Sequence, residues 1–431
     1  LEVEMMEELR QRAAAARTAQ RRLGSAPPEQ RTEVLRHLER LLREREAELL
    51  AANKLDLEAA DGVDLPGPIL GRLALSPAKL ETLREGVRQL IESEDPIGRP
   101  VLVRELDDGL ILRQVKAPLG VLLIIFESRP DAVIQIGSLA IRAGDAVLMK
   151  GGSEAAHSNR ALTDLLRDAV AAAGLDADAV QNIEGREAVS ALLEMDHHID
   201  LVIPRGSNEL VRSIQERSKI PVLGHADGIC QVYIDRDADR DKAVRIAVDA
   251  KTDYPAVCNA VENLLVHEDF AYLDDVLDAL IDEGVELRGD AAIRARRPDL
   301  TPATAEDWDT EYGDLILSVA QVSGVDEAID FIHEHGSAHT EAIVTEDAQT
   351  ATRFLNEVDA ASVFWNASTR FADGFRYGLG AEVGIATGRI HARGPVGVEG
   401  LLTTRWLLAG AGQVAADYGP GKRSFTHRDL A

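Results

Sequence analysis

Two of the 431 residues are cysteines, Cys230 and Cys258, and the second has the surroundings of a nucleophile. It lies in Asp253-Tyr254-Pro255-Ala256-Val257-Cys258-Asn259-Ala260, and a strand-like run, Asn263 to His267, follows it. A polar, proline-kinked approach to a thiol suits a cleft between structured elements. A thiolate is intrinsically nucleophilic and can carry an acyl group as a thioester. A free cysteine also serves as a small buried hydrophobe. The segment by itself leaves both readings open.

Two turns have the chemistry of anion seats. Lys150-Gly151-Gly152-Ser153 ends an apolar run. Its glycines let the backbone approach a ligand, and the lysine supplies a charge for phosphate. Arg205-Gly206-Ser207-Asn208 ends a second run and opens a helix, whose free N–H groups attract anions. Each alone is also an ordinary turn with a helix cap. Both at the carboxyl ends of strands in one sheet point to a dinucleotide crevice. Other motifs carry less. Gly378-Leu379-Gly380-Ala381-Glu382-Val383-Gly384 imitates a dinucleotide fingerprint, but has an extra residue and opens no βαβ unit. His333, His335 and His339 match no common zinc spacing, nor does the pair His197-His198, so no metal is expected.

These turns need elements to hold them. An amphipathic helix is expected over 2–22. Pro28 opens a second, with Leu35, Leu38, Leu41 and Leu42 on one face. Ser76-Pro77 opens a third, which ends near Ser93. The turn Asp107-Asp108-Gly109 between alternating runs predicts a hairpin. Val121 to Phe126 reads as a strand buried on both faces. From there strands and helices alternate through Ser218. Beyond Pro221 the alternation restarts and reaches a strand over 361–365. This is an α/β class chain with two doubly wound, parallel domains.

A length of 431 residues suffices for two large cores. With 45% hydrophobic and 28% charged residues the chain is globular rather than disordered. Two cysteines make no disulfide framework, so a reducing cytoplasm is expected. The net charge of −27 argues against nucleic acid and anionic membrane as partners. The longest apolar run, near 121–126, is too short to span a bilayer. The start, Leu1-Glu2-Val3-Glu4, lacks the order of a signal peptide. Leu1 is no initiator methionine, which fits a chain trimmed or cut from a longer one. Asp and Glu number 74 against 47 Lys plus Arg, of which only eight are Lys. That balance predicts a halophilic source; a GC-rich genome favouring Arg is the plainer alternative.

Several stretches together carry a resemblance. They are Phe126-Glu127-Ser128-Arg129-Pro130-Asp131, Met149-Lys150-Gly151-Gly152, Ile203-Pro204-Arg205-Gly206-Ser207, 254–260, Thr310-Glu311-Tyr312-Gly313-Asp314, 364–371 and 391–397. In this order the chain resembles the gamma-glutamyl phosphate reductases of the aldehyde dehydrogenase superfamily. The segment from Lys150 to Asn159 is similar to the reductase half of pyrroline-5-carboxylate synthases especially, with no kinase half present.

The resemblance implies a reaction. Cys258 would attack an acyl phosphate, expel phosphate and hold a thioester, which hydride from NADPH would reduce to glutamate 5-semialdehyde. The backbone N–H of Cys258 and the side chain of Asn259 are the oxyanion donors to be expected. Hydrolytic aldehyde dehydrogenases carry a water-activating Glu ahead of the nucleophile. The corresponding stretch here, Gly224-His225-Ala226-Asp227-Gly228, has none, which protects a thioester meant for hydride. Their oxyanion Asn falls here near Glu127-Ser128-Arg129, three residues expected instead at the substrate.

The superfamily layout implies a cofactor domain at 1–104 and 121–228, a catalytic domain at 229–398, and a small β oligomerisation flap at 105–120 and 400–412. Lys150 and Ser153, with Gly151 and Gly152, would face the adenosine ribose and its 2′-phosphate. Arg205, Gly206 and Ser207 would face the pyrophosphate, and Glu311 the nicotinamide ribose. Arg370, Arg393 and Gly394 would close the substrate pocket. The implied partners are a second copy, as dimer or tetramer, and a glutamate 5-kinase. An oxidative aldehyde dehydrogenase of another substrate is the alternative; the missing Glu speaks against it. A non-catalytic scaffold of the same fold is the other; the intact Cys258 segment speaks against that.

Overall fold

The computed structural model describes residues 2–60, 67–185, 187–224 and 227–430. It divides into two compact units: Leu1–Leu223 with Gly380–Val383 and Val396–Ala431, and Gly224–Leu379 with Gly384–Pro395.

The first unit opens with α1 (Glu2–Ser25), α2 (Pro28–Glu44), α3 (Glu46–Ala60), α4 (Gly67–Leu73) and α5 (Pro77–Glu92). Pro28 starts α2, where its missing N–H costs nothing. Leu35, Leu38 and Leu42 are fully buried on its inner face, each contributing about 2 kcal/mol; Leu41 lies at the edge of that face. The Ser76 hydroxyl caps α5 by accepting the Lys79 N–H at 3.1 Å. Helices α3 and α4 were not expected from the sequence. The inner face of α3 carries Asn53 and Asp56 among its buried residues, which blurs the apolar stripe. Asp56 accepts N–H groups of His157 and Ser158 at 3.0 and 2.8 Å, so it caps the helix that follows the Lys150 turn.

Next come β1 (Pro100–Asp107) and β2 (Leu110–Pro118), the expected hairpin, with Gly109 at φ +68° in its turn. The expected domain boundary at 104 falls inside β1, because pairing with β2 begins at Pro100. Then follow β3 (Val121–Phe126), α6 (Ala132–Ala143), β4 (Ala146–Gly151), α7 (Ala156–Ala172), β5 (Val180–Asn182), α8 (Glu187–Leu192), β6 (Leu201–Arg205) and α9 (Asn208–Arg217). The four strands β3 to β6 form a parallel sheet in the order β5-β4-β3-β6. All six residues of β3 are buried, as its unbroken apolar run requires. The register sets Phe126 beside Gly151 on one side and Arg205 on the other. Both candidate anion turns therefore emerge at one edge.

The second unit contains β7 (Cys230–Ile234), α10 (Arg240–Thr252), β8 (Val261–His267), α11 (Leu273–Asp282), β9 (Glu286–Gly289), α12 (Ala291–Arg296), β10 (Thr301–Pro302), β11 (Ile316–Val322), α13 (Val325–His335), β12 (Thr340–Val344), α14 (Ala348–Glu357) and β13 (Ser362–Trp365). Its seven strands form one sheet in the order β10-β9-β11-β8-β7-β12-β13, parallel throughout. A short pair, β14 (Gly384–Ala386) and β15 (Gly394–Val396), follows. Finally β16 (Leu402–Ala409) and β17 (Arg428–Asp429) join the hairpin in an antiparallel sheet, order β16-β2-β1-β17. No helix among the described residues is long and apolar enough to cross a membrane.

Candidate active site

Cys258 sits in the segment between α10 and β8, partly exposed. Helix α10 stops at Thr252 because Tyr254 precedes a proline and is steered away from helical ψ. The segment then turns sharply, with the Ala260 N–H donating to the Val257 carbonyl at 2.9 Å.

Several contacts pin this turn. Gly228 lies directly against it: a Cβ there would stand 2.5 Å from the Cα and the carbonyl oxygen of Cys258. The Gly228 N–H donates to Glu311 at 3.0 Å, which brings Glu311, expected at the nicotinamide ribose, close to the Cys258 turn. From below, the Cys230 thiol donates to the Cys258 carbonyl at 3.2 Å. Cys230 is fully buried, and burial pushes its thiol well above the usual range. It stays protonated and inert, which separates the two cysteines that composition alone leaves equivalent.

The third set of contacts is ionic. Arg370 donates from Nε to Asp253 at 3.1 Å and from a terminal nitrogen to the Asn259 side-chain oxygen. The Asn259 amide donates to the Ala372 carbonyl at 2.9 Å. Arg376 also holds Asp253 at 3.0 Å, and with Arg370 it keeps that carboxyl below its usual value. These contacts give two of the expected site residues a structural part. Asn259, expected as an oxyanion donor, is buried and bonded at both ends of its amide, so it holds the turn. Arg370, expected at the substrate, is buried and works as a clamp on both flanks of Cys258. Arg393, beside Gly394, is tied to Asp359 at 2.8 Å.

Behind the turn lies a buried ion pair. Lys251 Nζ is 2.6 Å from Glu262, with the two side chains 0% and 1% exposed. Burial raises the Glu262 carboxyl and lowers the Lys251 ammonium, each opposed by its partner.

In the first unit the Lys150 turn is shaped for close approach. A Cβ on Gly151 would meet Asn159 at 2.1 Å, and one on Gly152 would meet Glu154 at 2.1 Å. The bare backbone there ends a strand beside Lys150 and Ser153, with the ends of the Asn159 and Glu154 side chains laid against it. Lys150 Nζ donates to the Gly151 carbonyl at 2.6 Å. Ser128, at φ +47°, donates its N–H and hydroxyl to Glu154 at 2.7 and 2.8 Å. At the other turn, Ser207 caps α9. Its own N–H donates to Glu127 at 3.0 Å. The N–H at the helix start thus meets an anion that is the chain's own carboxylate. Glu127 and Ser128, expected at the substrate, are bonded to the two turns, Glu127 to Ser207 and Ser128 to Glu154. Arg129 follows them.

His225 and Ala226, the centre of the stretch expected to lack a water-activating base, lie outside the described residues. The histidines set aside as metal ligands have other work. His333 accepts the Asp359 N–H at 3.1 Å, His335 pairs with Asp309 at 2.9 Å, and His339 lies buried beside Cys230.

Gly228, Lys251, Glu262 and Arg376 were not singled out by sequence reasoning, and Cys230 was given no role there. One signal was present: Lys251 and Glu262 flank the Cys258 segment with opposite charges, Glu262 just inside a strand-like apolar run. Nothing local marks Gly228 or Arg376, whose roles come from contacts made across the fold.

The aldehyde dehydrogenase family model matches residues 4–307. The chain is 51% identical to the gamma-glutamyl phosphate reductase of Pelotomaculum thermopropionicum over 410 residues, covering 95% of this chain and 94% of that one. It is 53% identical to that of Synechococcus sp. strain WH7803 over 427 residues, 98% of each. A crystal structure of the gamma-glutamyl phosphate reductase from Thermotoga maritima superimposes with a TM-score of 0.92 at 37% identity, covering 94% of this chain and 99% of that one.

Proposed function

From the premise that the chain belongs to the aldehyde dehydrogenase family, and to its gamma-glutamyl phosphate reductases, we propose that Cys258 is the nucleophile of its reaction. The enzyme reduces gamma-glutamyl phosphate to glutamate 5-semialdehyde with release of phosphate, the second step of proline synthesis from glutamate. A nicotinamide cofactor supplies the hydride when bound.

The observation that carries the assignment is the difference between the two thiols. Cys258 is partly exposed on a pinned turn, while Cys230 is sealed beneath it. The Cys258 thiolate attacks the acyl carbon, the C–O bond to phosphate breaks, and a thioester forms. The backbone N–H of Cys258 faces the oxygen on which charge develops. After hydride arrives at that carbon, collapse of the thiohemiacetal breaks the C–S bond. The aldehyde leaves and the thiolate is restored. Asn259, Arg370 and Asp253 hold the turn through these charge changes. Arg129, Arg393 and Gly394 meet the phosphate and carboxylate of the substrate.

NADPH is the cofactor in this reading. Lys150 and Ser153 take the 2′-phosphate side, with Gly151 and Gly152 giving room for its backbone contacts. The turn Arg205-Gly206-Ser207 takes the pyrophosphate, which would replace Glu127 at the start of α9. Glu311, beside Gly228, takes the nicotinamide ribose.

The enzyme works in the cytoplasm as a dimer or tetramer, receiving its unstable acyl phosphate from a glutamate 5-kinase. Support for self-association comes from β16, an edge strand on which Trp406, Leu407 and Leu408 are 56%, 42% and 59% exposed.

The test is the reverse reaction, phosphate-dependent reduction of NADP with pyrroline-5-carboxylate. Cys258→Ala should lose about a thousandfold or more in kcat with its fold and NADPH binding intact. Retention of roughly a tenth of kcat excludes covalent catalysis at this residue.

A further inference from the structure

We propose that the buried Lys251–Glu262 ion pair is a positioning device for the nucleophile, clasping the two roots of the Cys258 turn and tying them to Glu311. The proposal rests on the reading of Cys258 as nucleophile and adds two residues to that site.

The placement is specific. Lys251 lies in the last turn of α10 and Glu262 is the second residue of β8, so one contact of 2.6 Å spans residues 252–261. The second Glu262 oxygen accepts the Gly313 N–H at 3.3 Å. Two residues earlier, Glu311 holds the Gly228 N–H at 3.0 Å. Gly228 in turn packs its backbone on Cys258. The clasp therefore reaches the nucleophile twice, once along the chain and once through the 311–313 segment. The Lys251 ammonium also lies 5.9 Å from the centre of the Tyr312 ring, whose hydroxyl is bonded to Asp307 and Ser318.

Stability alone does not account for such a pair. Removing two charges from water costs about as much as their attraction returns, and apolar residues of similar volume commonly replace a buried pair without loss of stability. What an apolar replacement lacks is direction: a charged pair fixes one geometry, whereas apolar side chains tolerate many. A clasp with a fixed geometry at the root of a reactive turn restricts where the thiol can point.

The experiment separates positioning from mere support. Lys251→Met/Glu262→Met removes both charges and keeps the volume; Glu262→Gln keeps the acceptor for Gly313 and removes one charge. The readouts are thermal midpoint, kcat and KM in the reverse reaction, and the rate of iodoacetamide alkylation at Cys258, read by peptide mass. The double variant should melt within about 3 °C of the native enzyme. Its kcat and alkylation rate should each fall by about thirtyfold or more, with KM changed by less than about threefold. Glu262→Gln should lose about tenfold in both rates. If both variants fold and keep kcat and alkylation within about threefold of native, the pair is structural only and the proposal is overturned. If the double variant does not fold, Glu262→Gln decides by the same criterion. Alkylation needs no turnover, so an active Cys258→Ala enzyme would overturn the nucleophile assignment separately.

Discussion

Gly228 lies against Cys258 so closely that a Cβ would stand 2.5 Å from the Cys258 Cα. Real side chains do not pack at that distance, so Gly228→Ala must displace the turn. Overpacking of this kind costs about 1–3 kcal/mol. A shift of an ångström at a reacting group costs about a hundredfold in rate. The variant should fold with a lowered thermal midpoint and lose roughly that factor in kcat. Activity within threefold or so of native would mean that the turn yields harmlessly and the contact does not place the thiol.

Lys150→Ala should weaken NADPH more than NADH. A charge-assisted contact to a phosphate is worth about 1.5–3 kcal/mol, or roughly tenfold to a hundredfold in affinity. NADH lacks the 2′-phosphate and should lose little. Fluorescence titration of both cofactors checks this, and equal losses would move Lys150 to another part of the site.

Asp307 supports the Glu311 segment and gives a pH-dependent handle. Burial alone would raise its carboxyl, but bonds from Thr304, Tyr312 and Arg288 outweigh it and bring the pKa to about 2. The folded state therefore favours the ionised form. That stability is present in full above the ordinary aspartate value near 4 and is lost as pH falls through about 2. Urea unfolding at pH 7 should show Asp307→Asn less stable by about 2 kcal/mol, and the gap should close toward about pH 2. A gap that is the same at both pH values would assign the loss to packing.

High salt should stabilise the protein. A net charge of −27 opposes compaction at low ionic strength. At about 2 M KCl the Debye length is shorter than about 3 Å and most of that repulsion is gone. The thermal midpoint should rise between dilute buffer and that salt, as a halophilic source would require. An unchanged or lower midpoint would leave the acidic excess as a matter of composition.

The sequence by itself determined the features that are local. Val121 to Phe126 had to be a buried strand, since six apolar residues in a row have no polar face. Pro28 and Ser76-Pro77 had to open helices, and Asp108-Gly109 had to turn a hairpin, for reasons of backbone geometry alone. The paired turns at Lys150 and Arg205, and the proline-kinked approach to Cys258, were legible in the same way. Helix α3 was not legible, because its buried Asn53 and Asp56 are satisfied only by partners far along the chain. The tertiary structure alone decided which cysteine is sealed and which is partly exposed, since burial is a property of the packed sheet and not of the residue. It also made a clamp of Asn259, expected as an oxyanion donor, and Arg370, expected at the substrate. Their partners, Ala372 and Asp253, stand 113 and 117 residues away in the chain. Side-chain types fix what a residue can bond; only the fold decides which bonds are already made.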